Sequence, residues 1–461
     1  MDRRLALLPL FALVAVPSLA KAPSPAQADA GAVDRMKAAL AVPTATPHPG
    51  CATAIFRNGK ISEFTSAGFA DVATSRPIRA DTQFYAASVS KQFTAVAVMQ
   101  QVVAGKIALD ADIRTYIPEL AQYSHPVTVQ MLLNMTGGIR DSLALLGLEG
   151  YENIAEPTRA MALAEVYRQP DTKFEPGTQY DYTNGGYLLL SEIVERVTRT
   201  PFETYVNTHV LKPAGMTRSF VMLGSRTTDA NVAKGYVAKD GAITSQNEYP
   251  LFGGSGGLMT TIEDLAKWDY DIASGHKVWT PEITRLMAMP GKFKDGSPAL
   301  RSGRGIAYGN ALLIGPHWFH HTGGASGFKT LYGHYTAKRI GIALLCNNGA
   351  YDPNTKADAV LAALNEGLPP TSEPSRAISA LDGRYKSSHL LSTYLLKAAD
   401  DTITVTIEQP GGRTAKPMVL KRVPQQDGEY RSGSYSLTPD DNGKGFTFAI
   451  PRVTLHFDKV Q

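Results

Sequence analysis

Cysteine is scarce in this chain of 461 residues: there are two, Cys51 and Cys346. Long apolar runs are scarcer. One lies near the N-terminus, and no other stretch is long and apolar enough to cross a bilayer, so no stable membrane span is expected. A basic block is missing as well. The formal net charge of +4 is spread along the chain, which leaves nucleic-acid binding without specific support. No internal repeats or low-complexity tracts stand out. Beside His317, His320 and His321 no carboxylate or cysteine stands at a familiar ligand spacing, so no metal is expected there. Adjacent His320 and His321 would also point to opposite faces of a strand. The apolar share of 43% is ordinary for a globular protein, and the length allows a large core plus a small second domain.

The N-terminal run is Arg3-Arg4 followed by Leu5 to Val16 and then small residues. That is the pattern of a short secretory signal, expected over 1–28, with cleavage after Ala20 or, preferably, after Ala28. No cysteine lies near either point, which counts against a lipid-anchored form. The mature chain is expected to be secreted or periplasmic. A main domain over 29–367 leads into a linker over 368–376, marked by Leu368-Pro369-Pro370-Thr371-Ser372-Glu373-Pro374-Ser375. Over 377–461 alternating runs such as Thr402 to Ile407 and Phe446 to Ile450 predict a small all-β unit.

Ser88-Val89-Ser90-Lys91 is the feature that carries chemistry. Residues at i and i+3 share a helix face, so the Lys91 amine can sit beside the Ser88 hydroxyl. A desolvated amine loses proton affinity and can take the hydroxyl proton. Ser-x-x-Lys also occurs at Ser18, Ser274 and Ser326, yet only Ser88 opens a sustained apolar helix, from Phe93 to Val103 with Gly105 as its stop. That helix is apolar nearly all round and should run through the core. The residues alone leave a second reading open: a helix N-cap serine with a solvated lysine one turn on.

Downstream, Tyr182-Thr183-Asn184 lies in a turn before the run Leu188-Leu189-Leu190, and His321-Thr322-Gly323-Gly324 ends a strand-like stretch in small residues. Tyr182 reads equally as a proton shuttle or as a packing tyrosine. Tyr-x-Asn recurs at Tyr151 in a loop, at Tyr205 in an amphipathic helix and at Tyr308 in strand-like sequence; Tyr151 is the rival. Gly253-Gly254-Ser255-Gly256-Gly257 offers another serine. It lacks the preceding hydrophobic strand and immediate helix that a nucleophile elbow needs, so Ser255 is expected in a cleft-lining loop.

In order, Ser88/Lys91, Tyr182/Asn184 and His321/Gly323 resemble the motifs of the penicillin-recognising serine hydrolases: class C β-lactamases, DD-carboxypeptidases, D-aminopeptidases and related esterases. Thr128 to Gly138, Lys212 to Met216 and Gly256 to Leu265 are similar to the connecting text of that family. The resemblance covers about residues 35 to 365. It implies an α/β (α+β) fold of the β-lactamase/transpeptidase type, with a helical cluster packed on an antiparallel sheet and a small all-β C-terminal domain. It implies Ser88 as acylated nucleophile, Lys91 as its base and Tyr182 as proton shuttle. Asn184 would bind the substrate amide, with the Ser88 and Gly324 N–H groups as oxyanion donors and His321, Thr322 and Gly323 on the substrate-binding strand. No metal or organic cofactor is implied.

Many β-lactamases of the family carry lysine where this chain has His321, and a partly charged histidine is a weaker carboxylate anchor. The expected substrates are therefore small amides or peptides, particularly with D-residues. Esters and β-lactams are the alternative, and a non-catalytic peptidoglycan- or penicillin-binding protein is a second. The resemblance also implies that the first strand pairs with the last strand of the sheet. This brings Cys51 near Cys346 and leaves a disulfide or two buried thiols open. The C-terminal unit resembles the β-barrel appendages of some members, at a length marginal for eight closed strands.

Overall fold

The computed structural model describes residues 30–41, 48–149, 151, 153–222, 231–239, 242–246, 248–250, 252–301, 306–364 and, in the C-terminal part, 381–387, 392–399, 402–408, 412, 414–415, 417–422, 429–432, 435–440, 444–450 and 453–460. The expected signal segment 1–28 and linker 368–376 lie outside the described residues.

Arg57-Asn58-Gly59-Lys60 turns the chain between β1 (Cys51–Arg57) and β2 (Lys60–Ala67), with Asn58 and Gly59 both at positive φ, as a tight hairpin requires. The other six strands of the main sheet come from the far end of the same domain: β3 (Leu300–Arg301), β4 (Ile306–Tyr308), β5 (Leu313–Ile314), β6 (Trp318–Ala325), β7 (Phe328–Tyr335) and β8 (Ile340–Cys346). The order is β3-β4-β5-β6-β7-β8-β1-β2, antiparallel throughout. β1 and β8 are buried along almost their whole length, and the strands from the two ends of the domain meet where these two pair, one strand in from the β2 edge. Cys51 lies directly opposite Cys346 in that pairing, and the two form a disulfide.

Helices cover both faces. The period-2 alternation of β7 turns Thr330, Tyr332 and His334 to one side, where they meet Ala86 and Asp269 of α5 (Ile262–Tyr270). Gly333 and Tyr335 face the other side, against α6 (Pro353–Ala363), which packs with α1 (Ala30–Leu40). His320 lies on this second side with α6 while His321 faces the first, as alternation demands. Between the two groups of strands the chain is mainly helical. It includes α2 (Lys91–Val103), α3 (Ser142–Leu148) and α4 (Asn184–Thr198). A hairpin, Gly235–Lys239 with Ala242–Gln246, interrupts these helices; its second strand is largely exposed and lacks the buried stripe that would mark a strand in sequence.

At the C-terminus eight antiparallel strands close into a barrel, β9 (Gly383–Lys386) to β16 (Val453–Val460), with β9 pairing β16. The length expected to be marginal suffices because the strands are short, the shortest having 3 residues (Tyr430–Ser432) and the longest 8.

Candidate functional site

Ser88 stands in a single 3₁₀ turn, Ala87–Ser90, that runs straight into α2. Ala87 is at φ 47, a left-handed conformation that costs an L-residue about 1 kcal/mol. The N-cap of α2 is Ser90, whose hydroxyl accepts the Leu258 N–H at 3.2 Å. Ser88 is therefore not a capping serine, and Lys91, with 0% exposure, is not solvated. The ordinary-helix reading fails on both counts. From Lys91 to Met99 every residue of α2 is buried, as a core helix should be.

The Lys91 amine has three acceptors: Ser88 Oγ at 3.1 Å, Asn184 Oδ1 at 2.9 Å and the Ser255 carbonyl at 2.8 Å. It also lies 4.9 Å from the centre of the Tyr182 ring and 5.6 Å from that of Tyr187. Burial pulls its pKa from 10.5 down to about 7, against a smaller upward pull from the Asp141 carboxylate. Two of the three partners, a side-chain carbonyl and a backbone carbonyl, can only accept. A neutral amine must give both its hydrogens to them, which turns the lone pair to Ser88.

Ser255 thus enters the site through its backbone. The glycine-rich loop that holds it is bound to α2 a second time, by the Thr94 hydroxyl donating to the Gly254 carbonyl at 2.7 Å. This is the loop expected from sequence to line the cleft, and it meets the Lys91 amine at a backbone carbonyl.

α4 begins where Thr183 caps it, its hydroxyl accepting the Gly185 N–H at 3.1 Å. A Cβ at position 185 would stand 2.2 Å from the Arg140 carbonyl oxygen, so only glycine lets the 140–141 segment close over the helix start. Tyr182, just before the cap, hydrogen-bonds Ser88, and burial raises its phenol well above the ordinary range, so it is a neutral hydroxyl. Of the rivals, Tyr205 is a packed helix residue, hydrogen-bonded to Gln100 and Gln101, and Tyr151 packs half-buried against the main core.

Gly323 shows how closely β6 approaches the Ser88 turn: a Cβ there would lie 2.5 Å from the Ala86 carbonyl oxygen and 3.0 Å from the Ser88 nitrogen. Gly324 follows on the same strand and is exposed. The Thr322 hydroxyl donates to Asn354 Oδ1 at 3.1 Å, tying β6 to α6.

His321 departs from expectation. Its Nδ1 donates to the Thr322 carbonyl at 2.6 Å, so Nε2 is the acceptor that faces the Tyr308 hydroxyl at 3.1 Å. Burial, then the Lys91 and Arg301 charges, push its pKa well below 6.5. It is a neutral imidazole and not the partly charged carboxylate anchor anticipated.

Sequence reasoning missed three contributors. Tyr308 was passed over as strand sequence, yet β4 carries it to His321 and to the Tyr180 and Tyr182 rings. Arg301 acts electrostatically on Tyr180, Tyr182 and His321. Asp141 hydrogen-bonds Asn184; its signal was an acidic residue just before the apolar run Leu143 to Leu148, which reads as a helix cap and nothing more. Among the described residues no group of three or more His, Cys, Asp or Glu is placed to hold a metal ion.

The family model described as Beta-lactamase matches residues 36–366. A D-aminopeptidase of Cereibacter sphaeroides is 26% identical over 348 residues, 75% of this chain and 65% of that protein. A D-aminopeptidase of Brucella ovis is 29% identical over 347 residues, 73% of this chain and 63% of that protein. The chain thus spans just under two thirds of the length of these relatives. An octameric penicillin-binding protein homologue from Pyrococcus abyssi superposes with a TM-score of 0.64 at 24% identity, covering 92% of this chain and 98% of that one.

Proposed function

The chain belongs to the beta-lactamase family, and from that premise we propose that it is an exported serine hydrolase, working through a Ser88 acyl-enzyme on small amides or peptides with D-residues. One observation carries the mechanism: a fully buried Lys91 amine, with a pKa near 7, held between two obligate acceptors and the Ser88 hydroxyl.

Attack by Ser88 Oγ on the substrate carbonyl sends the hydroxyl proton to Lys91. Charge then builds on the carbonyl oxygen, for which the Ser88 and Gly324 N–H groups are the assigned donors. As the C–N bond breaks, the leaving nitrogen needs a proton. Neutral Tyr182, hydrogen-bonded to Ser88 and beside Lys91, can accept from the ammonium and donate to that nitrogen in one relay. Water entering by the reverse route, its proton passing to Lys91, releases the acid and restores Ser88.

The names of the relatives support D-residue amides as the substrate class, and neutral His321 fits a substrate that brings no carboxylate to that point. The Cys51–Cys346 disulfide supports export, since such bonds persist in oxidising compartments.

The test is intact-mass and peptide mapping after exposure to a penicillin, together with turnover of D- and L-alanine p-nitroanilide, for the native protein and Ser88→Ala. An adduct on the Ser88 peptide and D-selective turnover, both lost in Ser88→Ala, are expected. Turnover that survives Ser88→Ala overturns the nucleophile, and equal rates on both enantiomers overturn the substrate class.

A further inference from the structure

Asn184 is the hinge of the arrangement because its amide has two unlike ends. If Oδ1 faces Lys91, the amine must donate to it and its lone pair is left for Ser88. If the NH₂ end faced Lys91, it would donate into that lone pair and compete with Ser88 for it. Nothing in the Lys91 pocket itself forbids the second orientation. The groups facing the amine are Ser88, the Ser255 carbonyl, the Tyr182 and Tyr187 rings and, further off, Asp141 and His321.

The choice is made behind Asn184. Asp141 Oδ2 accepts both the Asn184 backbone N–H, at 2.6 Å, and its side-chain Nδ2, at 2.9 Å. A carboxylate oxygen can only accept, so the NH₂ end is drawn away from Lys91. The other oxygen, Oδ1, is not spare: it accepts the Ala144 N–H at 2.9 Å and caps α3. One carboxylate therefore joins the start of α3, the start of α4 and the amide that contacts the base.

We propose that Asp141 is a positioning residue: by fixing which end of the Asn184 amide faces Lys91, it keeps the amine lone pair aimed at the Ser88 hydroxyl. The inference rests on Ser88 being the nucleophile and Lys91 its base. Asp141 touches no reacting atom in this scheme. Its negative charge has a second effect of the same origin, raising the proton affinity of Lys91 against burial.

Asp141→Asn retains shape and removes one acceptor. If its remaining oxygen caps α3, its NH₂ faces two Asn184 donors, and the Asn184 amide relieves the conflict by turning its own NH₂ toward Lys91. Asp141→Ser keeps a capping oxygen and loses both the charge and the grip on Asn184, so it separates the helix cap from the positioning role.

The experiment is the pH dependence of kcat/KM for p-nitrophenyl acetate, a probe that requires little beyond an acylatable serine, with melting temperatures alongside and Ser88→Ala as control. Both Asp141 variants should lose about 10²-fold in kcat/KM, the scale of a displaced general base. The acid limb of their profiles should move to lower pH, because a nearby negative charge has gone from Lys91. Rates within threefold of native with an unmoved limb would overturn the proposal. So would a loss that tracks the fall in melting temperature while the limb stays in place. Activity that persists in Ser88→Ala would instead remove the nucleophile assignment on which the proposal stands.

Discussion

Around Ser88 the protein buries Lys91, Gln92, Thr94 and His321 almost completely, and elsewhere in the same domain Asp264, Asp269, Asp271 and His334. The barrel core is Leu381, Tyr385, Tyr394, Leu396, Ile403, Val405, Leu420, Tyr430, Leu437, Phe446, Phe448 and Phe457, and the polar side chains buried in that part, among the described residues, are Ser387 and Thr393. Both cores exclude water. Only the first spends that exclusion on charge, since a lysine moved out of water changes its proton affinity and a phenylalanine only adds stability. Burial of a titratable group with fixed partners, rather than burial as such, marks where chemistry is placed.

Paired substitutions test that contrast most strongly. Lys91→Ala should lower turnover by about 10³-fold or more while leaving the fold intact. Phe446, fully buried and stacked on Phe457 at 4.9 Å, should behave the opposite way. Phe446→Ala should cost the barrel about 3–5 kcal/mol by denaturant titration and leave kcat within twofold. A large fall in kcat for Phe446→Ala would break the comparison by giving the barrel a share in the reaction.

Next in size is the disulfide, which belongs to one side of the comparison alone. It closes a sequence separation of 295 residues and joins the neighbouring strands β1 and β8 of the main sheet. Replacing both cysteines by serine should cost the catalytic domain about 2–5 kcal/mol, with the transition of the barrel unmoved. Calorimetry of the native and Cys51→Ser/Cys346→Ser proteins reads both transitions. Equal shifts in the two would show that they do not unfold separately.

Local signals carried the fold and the ends of the catalytic motifs. Asn58-Gly59 announces its hairpin, the apolar run after Lys91 announces a core helix, and alternation announces the barrel strands. His320 and His321 separate to opposite faces for the same reason of period. What stayed hidden depends on contacts between residues remote in sequence. Asp141 acts through Asn184, 43 positions on, and Ser255 through a carbonyl that every residue possesses. Tyr308 is ordinary strand sequence until register sets it against His321, and only the Thr322 carbonyl on His321 Nδ1 reveals that Nε2 is the nitrogen that accepts. A charge state is a property of surroundings, and surroundings are not written locally.

The smallest effect concerns the cost of holding the base ready. The ordinary lysine pKa of 10.5 applies to the unfolded chain, and burial lowers it to about 7 in the fold. Between those values the unfolded chain binds a proton that the folded protein does not, so stability rises as pH climbs through that window. Below pH 7 both states are protonated and the penalty of a buried ammonium stands in full; above 10.5 it has vanished. Lys91→Met removes the penalty and leaves the Asn184 and Ser255 oxygens without their donor, which offsets part of the gain. The variant should be more stable than the native protein at pH 7 by about 1–3 kcal/mol. The gap should close and then change sign as the pH is raised toward 10 or so, because the penalty of the buried ammonium disappears while the two oxygens left without a donor remain. A gap that does not change with pH would mean that Lys91 keeps an ordinary proton affinity in the fold, and the contrast between the two cores would then lose its chemical basis.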